Sequence, residues 1–203
     1  MSKETIGLLS GAIVIVSVIP YAIRVYQRKI HPNVTTWCLW TIIGLALLLT
    51  YRSSGASANV WPAVFGFTNP LIVAGLIIWK KNDWEPLSTV ERVCLAVGLL
   101  SLVLWLWLRN DREMVQFALY LAIIADACAA IPTAVFVWTK PMEERPFAWG
   151  LYAIGYGIGI FAITEHTVAN YALPVYMFIG ASSIALPLVI HRIRYRMRLA
   201  EWL

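Results

Sequence analysis

The chain has 203 residues, 60% of them hydrophobic and only 13% charged, with a mean hydropathy of +0.72. That is far too apolar for a soluble domain of this length and places the chain in a bilayer. The net charge of +5 is therefore no mark of nucleic-acid binding, and its distribution matters more than its sum.

A hydrocarbon core about 30 Å thick asks for roughly 20 apolar residues per helix. Seven runs, at about 5–26, 35–52, 60–79, 89–108, 115–138, 147–164 and 168–191, predict an all-α integral membrane protein with seven transmembrane helices. The residues left over are expected to form short connections and no soluble domain. The first run lacks a small-residue cleavage site and leads through Pro20 into Arg24, Arg28 and Lys29, so it is read as a span rather than a leader. The second opens on TTWCLW, with Trp37 and Trp40 one helical turn apart. In the third, Asn69 and Pro70 put a primary amide and a helix breaker near mid-bilayer, the amide serving either as interhelical glue or as lining. The fourth has Ser101 as its one interior polar group and reads as a connector.

The fifth run carries Asp126 about halfway across, where an ionised carboxylate costs roughly 2.5–3.5 kcal/mol and must face inward. No intramembrane Lys, Arg or His is there to pair with it. It serves either as a structural tie between helices or as a substrate-binding or proton-linked group. The following loop contains Glu143 and Glu144, and the sixth run interleaves Tyr152 and Tyr156 with glycines. Cys38, Cys94 and Cys128 lie inside spans without metal-ligand spacing and read as apolar filler.

The chain also repeats itself. At an offset of 112 residues Pro20 falls on Pro132, Trp37 on Trp149, Trp40 on Tyr152 and Pro62 on Pro174, whereas Asp126 falls on Val14. With the fourth span as an addition, two three-helix units point the same way, giving a 3+1+3 plan with units 1–82 and 111–203 and a connector 83–110. Twelve of the sixteen basic residues fall on one side of this plan, which predicts an outside N-terminus and a cytoplasmic C-terminus with a basic tail.

No phosphate-binding loop, nucleophile elbow or zinc-ligand motif is present, so no enzyme activity and no cofactor or metal is expected. The strings SVIPYAIRVYQRKIHPNVTTWCLW and DACAAIPTAVFVWTKPMEERPFAW resemble the PQ-loop and SWEET superfamily of small transporters, with Pro20 and Pro132 in place of its helix-one prolines. Tyr21 and Thr133 stand where that family has glutamine. Asp126, Pro132, Thr133, Pro141, Glu143 and Glu144 also look like a prokaryotic branch with D-x5-P-T and P-x-E-E patterns. The resemblance implies two parallel three-helix bundles rocking around a midplane site.

On this reading the protein moves a small polar solute, a sugar or sugar-like metabolite, by alternating access, proton-linked through Asp126 or facilitative. Trp40, Asn69, Asp126, Tyr152 and Tyr156 would bind the solute, Pro20 and Pro132 would be hinges, and Trp37, Trp149, Glu143 and Glu144 would be gates. A lone Asp opposite Val14 implies an oriented solute, cationic or proton-linked. The expected partners are that solute and the lipid of a prokaryotic cell membrane, with no nucleic acid. A Leu- and Trp-rich outer face fits a homo-oligomer as well as lipid. The alternative is a receptor or assembly partner with this fold and no transport.

Overall fold

The computed structural model describes residues 1–30, 34–80, 86–142, 144–198 and 201–202. They form seven α-helices: α1 (Lys3–Tyr26), α2 (Val34–Ser53), α3 (Trp61–Trp79), α4 (Thr89–Leu108), α5 (Arg112–Thr139), α6 (Pro146–Ile160) and α7 (Val168–Arg194). A short 3₁₀ turn, Ala58–Val60, leads into α3. The helix starts are written in the sequence. Ser2, Asp111 and Thr167 each accept a backbone N–H of the first turn, and Ser88 with Glu91 closes a full capping box on α4.

All of these helices except α6 are long and apolar enough to cross a membrane, six in number. The sixth is shorter than its apolar run predicts, 15 residues instead of a span to position 164. Its last turn tightens instead. Phe161, Ala162 and Ile163 donate to Ile158, Gly159 and Ile160, a 3₁₀ pattern that carries the apolar path one turn further.

The surface is inverted relative to a soluble bundle. Leu99, Leu100, Val103, Leu106 and Trp107 of α4 are exposed, as are Ile131, Val135 and Trp138 of α5, while Ser10, Ser17, Thr50, Asn59, Asn69, Ser101 and Asn170 are buried. Helices pack here through small residues and interhelical hydrogen bonds, the pattern of membrane bundles. On α1 the buried stripe Gly7, Ser10, Gly11, Val14, Ser17, Val18 has helical spacing. It receives α6 closely, because a side chain at Gly155 would lie 2.6 Å from Val14 and the Ser10 hydroxyl donates to the Gly155 carbonyl at 2.6 Å.

Contacts at the helix ends fix the directions. At one end Lys3 Nζ donates to the Phe161 carbonyl (2.7 Å), Ser57 meets Thr164 (2.8 Å), Trp105 Nε1 donates to Ser53 Oγ (2.9 Å) and Arg112 pairs with Glu165. At the other, Thr36 donates to Glu91 (2.6 Å), Lys80 covers the Tyr26 ring (3.9 Å) and Arg192 Nη1 donates to the Pro141 carbonyl (3.0 Å). Helices α1, α3, α5 and α7 therefore run one way and α2, α4 and α6 the other. The second end carries most of the basic residues. Within the bundle α3 packs on α1 and α2, α7 packs on α5 and α6, α1 meets α6, α5 meets α2, and α4 lies outside against α2 and α5.

A proline inside a helix frees the carbonyl four residues earlier, and in a membrane that carbonyl needs another donor. Three such carbonyls are served by aromatic side chains from other helices. Tyr152 of α6 donates to Gly66, freed by Pro70 (3.3 Å); Tyr51 of α2 donates to Asn170, freed by Pro174 (2.8 Å); Trp138 of α5 donates to Ser183, freed by Pro187 (3.1 Å). Pro20 and Pro132 differ. Among the described residues no side chain donates to the Val16 or Cys128 carbonyl that they free.

Candidate functional site

A cavity of about 370 Å³ lies between the helices, within the range that holds small ligands. It starts at the first turns of α2 and α6, at the basic end, and reaches Ala63 and Gly66 of α3. All five residues expected to bind solute line it: Trp40, Asn69, Asp126, Tyr152 and Tyr156.

Asp126, Ala130 and Thr133 follow one another at helical spacing on the cavity face of α5. The carboxylate does have a partner, one the sequence did not reveal. Tyr176 of α7 donates its hydroxyl to Asp126 Oδ2 at 2.7 Å. Asn69 is both glue and lining. Its Nδ2 donates to the Val14 carbonyl (2.9 Å) and to Ser17 Oγ (3.2 Å), while the Ser17 hydroxyl itself donates to Val14 (2.6 Å). With two acceptors facing Nδ2, the amide is oriented, and Oδ1 is buried without a donor among the described residues.

The Tyr152 and Tyr156 rings lie 5.3 Å apart, and Tyr156 donates to the Pro62 carbonyl at 3.1 Å. Both hydroxyls occupy the space a side chain at Gly66 would need, that of Tyr152 lying 3.1 Å from such a Cβ. This is why α3 carries a glycine there.

At the basic end the aromatic residues form a connected row. Tyr21 lies 5.0 Å from Trp37, Trp37 5.4 Å from Trp40, and Trp40 6.3 Å from Trp149, the last two contacts edge to face. Trp40 therefore belongs with the expected gate residues Trp37 and Trp149 as much as with the wall, since it is the ring that bridges from α2 to α6. Glu144 stands at the same mouth, half-buried; Glu143 lies outside the described residues. Burial holds the Glu144 carboxyl above the ordinary carboxylate value, opposed by the Arg145 N–H and by the charges of Arg145, Arg192 and Arg24. The loop that carries Glu144 is fixed from beneath by Arg192, fully buried, whose guanidinium donates to the carbonyls of Leu188, Pro141, Glu144 and Glu201.

Toward the other end the bundle is tied more deeply. Tyr51 accepts from Asn59 and donates to Asn170, and the Ser57–Thr164, Lys3–Phe161 and Arg112–Glu165 contacts lie beyond it. Pro20 and Pro132 sit outside this ring of ties, Pro132 on the exposed face of α5. Among the described residues no three His, Cys, Asp or Glu side chains gather as a metal site. No known protein family, curated protein or solved structure matches this chain.

Proposed function

We propose that the chain is a transporter of the prokaryotic cell membrane that moves a small polar solute by alternating access. The observation that carries this reading is how the cavity wall is composed. Seven pairs of lining residues stand 112 positions apart: Val18 and Ala130, Tyr21 and Thr133, Thr36 and Ala148, Trp37 and Trp149, Trp40 and Tyr152, Gly44 and Tyr156, Asn69 and Ala181. Helix contacts follow the same exchange, α1–α3 answering α5–α7, α2–α3 answering α6–α7 and α1–α6 answering α5–α2. In this reading the molecule is two parallel three-helix bundles joined by α4, like the SWEET-type plan that the sequence resembles. A site walled equally by two related bodies is the geometry that rocking exposes to either side in turn.

The basic end faces the cytoplasm, so the N-terminus is outside, the C-terminus inside, and the cavity adjoins the inner side. The aromatic row Tyr21–Trp37–Trp40–Trp149 is the inner gate and the Arg112–Glu165 end the outer one. Pro20 and Pro132, whose freed carbonyls have no side-chain donor among the described residues, are the hinges. The test is counterflow in proteoliposomes preloaded with pooled sugars, amino acids or amines. Accumulation of the matching labelled solute, lost in Asp126→Asn, supports the carrier. Saturable binding without exchange of any bound solute refutes it and leaves a receptor.

A further inference from the structure

The chemistry of the cavity wall names a class of solute, an inference that rests on the same site as the transport reading. Seven of the lining side chains are aromatic: Trp37, Trp40 and Trp149, and Tyr21, Tyr152, Tyr156 and Tyr176. Among the described lining residues two are carboxylates, Asp126 and Glu144, and none is Lys, Arg or His. Glu144, at the mouth, has Arg24, Arg145 and Arg192 around it. Asp126, deep in the wall, has a tyrosine hydroxyl on one oxygen and no cation beside it among the described residues.

The geometry points to a small protonated amine that carries no carboxylate of its own. Aromatic ring faces attract a cation through their quadrupoles. An ammonium group brings the counter-charge that Asp126 lacks among the described residues, and a hydrocarbon or ring body fills the apolar remainder. An amino acid would bring a second charge that no described lining residue receives, and an anion or a phosphorylated sugar would find two carboxylates and no cation among the described lining residues. A neutral sugar leaves Asp126 without a counter-charge.

The experiment compares three small probes in tryptophan fluorescence titrations of the purified protein: benzylamine, benzyl alcohol and glucose. Benzylamine and benzyl alcohol differ mainly in charge. The expected result is saturable quenching by benzylamine at least tenfold tighter than by either neutral probe, with phenylalanine, the same ring with an added carboxylate, binding weakly. Asp126→Asn is expected to remove that preference while binding benzyl alcohol as wild type does. Equal binding of benzyl alcohol, tighter binding of glucose or phenylalanine, or no binding of benzylamine overturns the inference. Counterflow of labelled benzylamine and glucose in the same preparation separates the two readings. Glucose exchange alone spares the carrier and removes the amine, whereas benzylamine binding without exchange keeps the ligand class and removes the carrier.

Discussion

The Tyr152 hydroxyl reaches from α6 to the Gly66 carbonyl of α3, the very group that Pro70 leaves without its helical donor, at 3.3 Å. A proline in one helix thus creates the acceptor for a tyrosine in another. Tyr152→Phe leaves that buried carbonyl unsatisfied and is expected to cost about 1–3 kcal/mol. In a Pro70→Ala background, where residue 70 regains its N–H, the same substitution is expected to cost much less. Thermal or denaturant unfolding of the four proteins in detergent measures the coupling. Additive losses would mean that the contact satisfies nothing the proline freed.

Arg192 is expected to tolerate no replacement, lysine included. Its planar fork serves carbonyls in four directions, and a point ammonium cannot. Arg192→Lys and Arg192→Met are both expected to lose on the order of 3 kcal/mol, since hydrogen bonds to a charged group are worth about 1.5–3 kcal/mol each. Limited proteolysis in the 140–145 loop, faster in either variant than in wild type, locates the loss. Wild-type cleavage rates would show that the loop holds its shape unaided.

Pro20→Ala and Pro132→Ala are expected to raise stability and slow exchange together. Each restores an N–H opposite a carbonyl that no described side chain serves, in a position where proline disfavours a helix by up to about 3 kcal/mol. Pro174→Ala is the control, because Tyr51 already serves the carbonyl concerned. Unfolding midpoints and counterflow rates, measured on the same preparations, check it. Unchanged exchange in stiffened proteins would remove the hinges.

Stability is expected to fall as pH rises through a window that begins near 4.5, the ordinary carboxylate value, and ends at the raised value Glu144 holds when folded. The sign follows from proton binding. In that window the folded protein holds the Glu144 proton and the unfolded chain has released it, so raising pH favours unfolding. Glu144→Gln, which cannot titrate, is expected to flatten this slope. An identical pH profile in wild type and variant would show that Glu144 is solvated.

Helix positions were legible because short polar stretches separate the apolar runs, and most boundaries fall within about three residues of the expected ones. Asp126 and Asn69 were legible because a polar group at membrane depth is conspicuous by its cost. Tyr176 was not. Its counterpart by the repeat is Val64, and one tyrosine among nine in an apolar chain carries no mark of the carboxylate it will meet. The Tyr51–Asn170 and Tyr152–Gly66 contacts were hidden for another reason, since their acceptors are backbone atoms that only a proline four residues later gives away. The shortness of α6 was masked because the residues beyond Ile160 are as apolar as those before it.

On the proposed two-bundle plan Asp126 has Val14 at the related position of the other half. Two identical three-helix chains assembled about a twofold axis hold either no carboxylate at this level or two facing each other, and an odd number is closed to them. Two bundles carried by one chain are free to differ at one position, so that a carboxylate stands on one side of the chamber without a twin on the other. On that plan the α4 link is what permits a lopsided site to live inside a balanced frame.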